Sequence, residues 1–212
     1  MRWTLPNILT LARICLTPVI ALLPFISGYW PKVIAFLIFL AAAFSDVIDG
    51  YYARKYNQVS NLGKLLDPIA DKWLLFATLV PIFWLTRHPT IVSYRIPWWG
   101  SLPVWACLLL VGRELLMTAF RLFAQRRGVV IAAMGAGKLK AVVQNVFIGA
   151  TIAWFAWRDA LQRHGWTGRL EEAWNRFHGV FVAVTLAGAI LLTVYSLIVY
   201  LYRYRALLKG GG

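Results

Sequence analysis

Only eight of the 212 residues are acidic, three are histidine and two are cysteine. Cys15 and Cys107 both sit inside apolar runs, which excludes a disulfide framework and a thiolate metal site. Charged residues of all kinds make up 14% of the chain, against about 25% in an ordinary soluble domain. What is present instead is apolar: 60% hydrophobic residues, 11 Trp and a mean hydropathy of +0.66. That excludes intrinsic disorder. The 22 Lys and Arg give a formal charge of +14, but so greasy a chain has little soluble surface on which to hold nucleic acid. Membrane lipid is the anionic partner expected. Met1 to Thr10 carries a single Arg and no small-residue cleavage site follows the first apolar run, so this segment reads as retained rather than as a signal peptide.

Runs of about 20 apolar residues match the thickness of a hydrocarbon core. They occur at 6–27, 31–52, 65–86, 102–124, 138–158 and 178–202. The fold class expected is therefore an all-α integral membrane protein with six transmembrane helices. It forms one membrane domain over residues 1–209, with Gly210, Gly211 and Gly212 read as a cloning remnant. Lys and Arg resist translocation. With six spans, Lys32, Arg87, Arg95, Arg158, Arg163, Arg169 and Arg176 share one side, and the other fifteen basic residues lie on the side of both termini. The termini and the connections 53–64 and 125–137 are thus expected in the cytoplasm.

The acids are unevenly placed. Asp46, Asp49, Asp67 and Asp71 fall within 26 residues, at the cytoplasmic ends of the second and third spans. A carboxylate there costs several kcal/mol unless it is paired or serves a site. Asp46, Asp49 or Gly50, and Ala53 repeat at helical spacing, as do Gly63, Asp67 and Asp71, so each set lies on one helix face. The short polar link from Lys55 to Leu62 makes the two helices antiparallel neighbours, and Gly50, Ala53 and Gly63 clear bulk from the shared cleft. Arg54, Lys64 and Lys72 are too few to neutralise four acids by simple pairing. Four hard oxygen donors suit Mg²⁺, Mn²⁺ or Ca²⁺, and the lack of nearby Cys and His disfavours Zn²⁺. Paired divalent ions on shared carboxylates serve phosphoryl chemistry, with Arg54 as a further cation for phosphate.

The string Asp46-x2-Asp49-Gly50-x2-Ala53-Arg54-x8-Gly63-x3-Asp67-x3-Asp71 resembles the complete signature of the CDP-alcohol phosphotransferases. The resemblance implies six transmembrane helices, a homodimer, two divalent ions (Mg²⁺ or Mn²⁺), and transfer of a substituted phosphate from a CDP-linked donor to an alcohol with release of CMP. It also implies roles. Asp46, Asp49, Asp67 and Asp71 hold the metals; Asp49, Gly50, Ala53, Arg54 and Gly63 meet the CDP donor; Asp71, beside Asp67, is the general base on the acceptor hydroxyl.

Further segments resemble the branch of that family that takes glycerol 3-phosphate and CDP-diacylglycerol. They are Leu5 to Arg13, Gly112-Arg113-Glu114-Leu115 with Arg121, and Gly137-Lys138-Leu139-Lys140 followed by Gln144. The charge pattern agrees, because an acceptor with its own phosphate needs cations, and Arg113, Arg121, Lys138, Lys140 and Arg13 are placed to supply them. Glu114 would orient Arg113 or bind a glycerol hydroxyl. Asn7, Thr10 and Gln144 complete the candidate contacts, Asn7 and Thr10 doubling as helix caps. The Trp and Tyr clusters read as interfacial belts. The stretch 158–177 reads as a short amphipathic surface turn, and His88, His164 and His178 as lying away from the acids. The rival readings are another acceptor (inositol phosphate, serine or phosphatidylglycerol) and a divalent-cation transporter using the same acids.

Overall fold

A computed structural model describes residues 5–55, 61–88, 96, 99–127, 129 and 135–205. Six long helices follow one another: α1 (Leu5–Leu22), α2 (Tyr29–Lys55), α3 (Asn61–Leu85), α4 (Val104–Arg126), α5 (Gly135–His164) and α6 (Arg169–Arg203). Among the described residues the only strand-like pairing is a single bridge between Ile96 and Gly100. Each helix overlaps one of the six expected spans, α1 ending at Leu22, five residues short. Four have stretches long and apolar enough to cross a membrane: Asn7–Phe25, Pro68–Leu85, Gly137–His164 and Glu171–Arg203. In α2 the apolar part is the shorter Tyr29–Ser45, ahead of the acidic end. In α4 the run is interrupted by Arg113, Glu114 and Arg121.

Burial is inverted relative to a soluble bundle. Leu191, Leu108 and Leu22 are 69%, 67% and 65% exposed, whereas Arg13, Lys32 and Lys140 are each 2% exposed. Water would reject that arrangement; hydrocarbon favours it, because only there do outward leucines cost nothing while inward charges find partners. The apolar interior is built from Phe39 on α2, Leu75, Leu79 and Ile82 on α3, Phe147, Ile148, Ile152 and Phe155 on α5, and Leu186 on α6. Helix α1 packs against both α2 and α3, while α5 packs against α2 and α6.

Gly149 on α5 faces Phe39 so closely that an added Cβ would stand 3.2 Å from its Cε1. Gly149→Leu is therefore expected to destabilise the bundle by about 2 kcal/mol through overpacking. The check is a lower unfolding temperature in detergent, and an undiminished one would show that Phe39 yields freely.

The surface turn expected at 158–177 is not formed. Helix α5 continues to His164 and α6 begins at Arg169, leaving a link whose Gly165 and Gly168 take φ of +61° and +131°. The polar residues of this stretch stay helical because they satisfy one another. Asn175 donates to Glu171 at 3.1 Å, Arg158 lies 4.0 Å from Glu171, and Trp157 packs against Trp166 and Trp174. At the same end of α5, Asp159 accepts from Lys32 at 2.7 Å and from the Gly28 backbone N–H at 3.1 Å. That clamp ties the α1–α2 turn to α5, about 28 Å along the helix from Lys140.

Candidate active site

At the other end of the bundle, Arg13 reaches from α1 to both helices of the acidic signature. Its Nε and Nη2 donate to Ser45 Oγ on α2 at 3.4 and 3.3 Å, and its Nη1 lies 3.5 Å from Asp71 Oδ1 on α3. Ser45 spends its own proton on the Ala42 carbonyl at 2.9 Å, so its oxygen lone pairs are turned to the guanidinium. Asp71 is held by a buried cation on one side, yet its side chain is 60% exposed and forms part of a cavity wall. Lys72, its neighbour, binds the Pro68 carbonyl at 3.0 Å.

The cavity, about 270 Å³, is lined from five helices: Ala43 on α2, Asp71, Lys72 and Thr78 on α3, Arg113, Glu114 and Arg121 on α4, Gly137, Lys138, Lys140 and Gln144 on α5, and Tyr200 on α6. Among the described residues the wall carries five cationic side chains and two carboxylates, a set that would attract an anion. Two of the cations are buried and organised. Arg113 Nη1 donates to Glu114 Oε1 at 2.7 Å, and Lys140 Nζ donates to the same oxygen. One carboxylate oxygen thus holds an arginine and a lysine together, both cation types that recognise phosphate. Gln144 adds a buried amide whose Oε1 has no hydrogen-bond partner.

The sequence-derived candidates therefore divide. Asp71, Arg113, Glu114, Arg121, Lys138, Lys140 and Gln144 meet at one cavity. Arg13, expected at the acceptor phosphate, is placed against Asp71 and Ser45 instead. Asn7 and Thr10 are buried on α1, at 2% and 1% exposure, and Gly63 is half-buried on α3. The backbone of Asp46, Asp49, Gly50, Ala53 and Arg54 belongs to α2 and that of Asp67 to α3, but their side chains lie outside the described residues. Ser45, Ser196, Thr78 and Tyr200 were not anticipated. The last three of them signal themselves only as polar groups in otherwise apolar runs.

The donors available for a metal are all carboxylate oxygens. Among the described residues no cluster of three His, Cys, Asp or Glu forms, and Asp71, open to the cavity, is the one described member of the acidic signature. An oxygen-only set fits a hard divalent ion.

These features suit a membrane protein with a cation-rich cavity, and comparison with known proteins supplies its class. Residues 3–191 match the CDP-alcohol phosphatidyltransferase family, and the chain belongs to it. Members of the family generally depend on divalent metal. The chain is 36% identical over 202 residues to a probable phosphatidylglycerophosphate synthase of Mycobacterium tuberculosis, covering 94% of this chain and 80% of the relative. It is 31% identical over 208 residues to the CDP-diacylglycerol–glycerol-3-phosphate 3-phosphatidyltransferase of Escherichia coli, covering 97% of each. A similarly named enzyme of Arabidopsis thaliana is 31% identical over 212 residues, covering 97% of this chain and 82% of the relative.

Proposed function

We propose that this protein transfers the phosphatidyl group of CDP-diacylglycerol to glycerol 3-phosphate, giving phosphatidylglycerophosphate and CMP. The observation that carries the acceptor assignment is the Arg113–Glu114–Lys140 cluster sharing a cavity with Asp71. A neutral alcohol gives no reason to bury two cations on one carboxylate; an acceptor bearing its own phosphate does. In this reading Arg113 and Lys140 bind that phosphate, Lys138 and Arg121 add charge at the cavity wall, and Gln144 takes a glycerol hydroxyl. The phosphate thus anchored turns the 1-hydroxyl toward Asp71. Asp71 accepts the hydroxyl proton as the oxygen bonds to the β-phosphorus of the donor, and the bond from that phosphorus to CMP breaks. Arg13 keeps the Asp71 carboxylate oriented from behind. Two divalent ions, Mg²⁺ or Mn²⁺, held by Asp46, Asp49, Asp67 and Asp71, would supply charge neutralisation for the donor diphosphate and the departing CMP. Arg54, with Gly50, Ala53 and Gly63 leaving room, meets the cytidine diphosphate.

The remaining features follow from the same reading. Residues 1–209 act as one domain in the bacterial inner membrane, as a homodimer, with termini and cavity on the cytoplasmic side, where the soluble acceptor is found. The donor's acyl chains enter between helices from the bilayer.

The test is CMP release by purified protein in detergent, with CDP-diacylglycerol and Mg²⁺ or Mn²⁺, comparing glycerol 3-phosphate, inositol phosphate, serine and phosphatidylglycerol. Release that requires glycerol 3-phosphate and stops with EDTA is expected. Preference for serine would overturn the phosphate-binding role of the cationic cluster, and preference for inositol phosphate or phosphatidylglycerol, each of which bears a phosphate, would keep that role but change the acceptor.

A further inference from the structure

Arg113 is gripped by two different helices. Besides Glu114 on its own helix, it donates from Nη2 to Ser196 Oγ on α6 at 3.1 Å. Ser196 is fully buried, although α6 exposes Leu191 and Ile198, at 69% and 59%, on its other faces. Its hydroxyl has one rotational choice already made, because Oγ donates to the Thr193 carbonyl at 3.0 Å and so presents lone pairs, not a proton, to the guanidinium. Ser196 and Tyr200 are one turn apart, and Tyr200 lines the cavity. Of the five N–H groups of Arg113, one is spent on Glu114 and one on Ser196, while Nε has no partner. A guanidinium fixed at both ends with N–H groups left over is prepared for an incoming oxyanion.

We propose that Ser196 is a positioning residue for acceptor recognition, holding Arg113 in the orientation that receives the phosphate of glycerol 3-phosphate. This rests on the acceptor site proposed above. Ser196 touches no substrate; it acts through the arginine. Without it the guanidinium is tethered only through Glu114, a carboxylate it shares with Lys140, and rotates away from the phosphate at the expense of acceptor affinity alone.

The experiment is steady-state CMP release in detergent at varied glycerol 3-phosphate and, separately, varied CDP-diacylglycerol, for S196A, S196C, S196T, R113A and R113A/S196A. S196A is expected to raise the KM for glycerol 3-phosphate about tenfold, the scale of one hydrogen bond to a charged group. Its kcat and its KM for CDP-diacylglycerol should stay within about twofold of the parent. S196T, which keeps the hydroxyl, should behave as the parent, and S196C, a weak acceptor, should fall between. The double variant should be no worse than R113A. This graded series separates positioning from packing, since Cys and Ser are nearly the same size. A raised acceptor KM in R113A but not in S196A would overturn this inference alone, as would losses in S196A that fall equally on both substrates and multiply with those of R113A. An unchanged acceptor KM in R113A would overturn the acceptor site itself, and this inference with it.

Discussion

Asp67→Asn is expected to lower kcat by about 1,000-fold or more, since a divalent ion supplies several kcal/mol to the phosphoryl transition state and each 1.4 kcal/mol is about a factor of ten. The substitution keeps the shape of the side chain and removes only its charge and one ligating oxygen. Asp67 lies one helical turn before Asp71 on α3, and Asp71 lines the cavity. Measurement should pair CMP release with Mn²⁺ binding followed by electron paramagnetic resonance. The expected result is loss of both, with the protein still monodisperse in detergent. Normal turnover by Asp67→Asn would sink the metal assignment, whereas lost turnover with unchanged Mn²⁺ binding would move Asp67 from ligand to another role.

Much of this was legible in the residues, for identifiable reasons. A membrane helix announces itself through an apolar run, so α1 to α4 fall at their expected positions within a few residues, even where charges interrupt the run in α4. The α5–α6 junction was misread because Arg158, Glu171 and Asn175 look like a solvated loop by composition, whereas they pair with one another along two helices. Hydropathy registers polarity, not mutual satisfaction. The site divides along the same line. Asp71, Arg113 and Lys140 were found through spacing and through the cost of burying a charge. Glu114 as the partner of Arg113 was legible too, being its sequence neighbour, but the pairings of Arg13 with Asp71 and of Lys140 with Glu114 were not, because they join helices that are distant in sequence. Arg13 was expected at a phosphate and is found on Asp71. Lys32 and Asp159 counted as an outward base and a loop acid, yet they form one buried pair. Ser196 carried the faintest signal of all, a hydroxyl at helical spacing from Thr193 and Tyr200 in a lipid-facing helix. In a bilayer such a group is seldom neutral, since hydrocarbon offers it nothing.

Arg113→Ala is expected to raise the KM for glycerol 3-phosphate about 100-fold, from the loss of a charge-assisted contact in a desolvated site, with a smaller fall in kcat. The effect exceeds a single contact because of how the cluster is wired. Glu114 Oε1 now divides its charge between Arg113 and Lys140. Once the guanidinium is gone, Lys140 is left as its main partner, and a lysine engaged by a carboxylate is less available to a phosphate. Removing one cation therefore weakens two. Arg113→Lys should restore part of the affinity, since charge returns but the planar fork, and with it the simultaneous hold on Glu114 and Ser196, does not. Glycerol, which lacks the phosphate, supplies the control: whatever slow turnover it supports in the parent should be unaffected by Arg113→Ala. The two acceptors should differ only through their phosphate. Equal losses with both would mean that Arg113 supports the fold or the donor, and a change of less than about threefold in the glycerol 3-phosphate KM would assign the phosphate to other cations of the cavity, with Lys138 and Arg121 the next to replace.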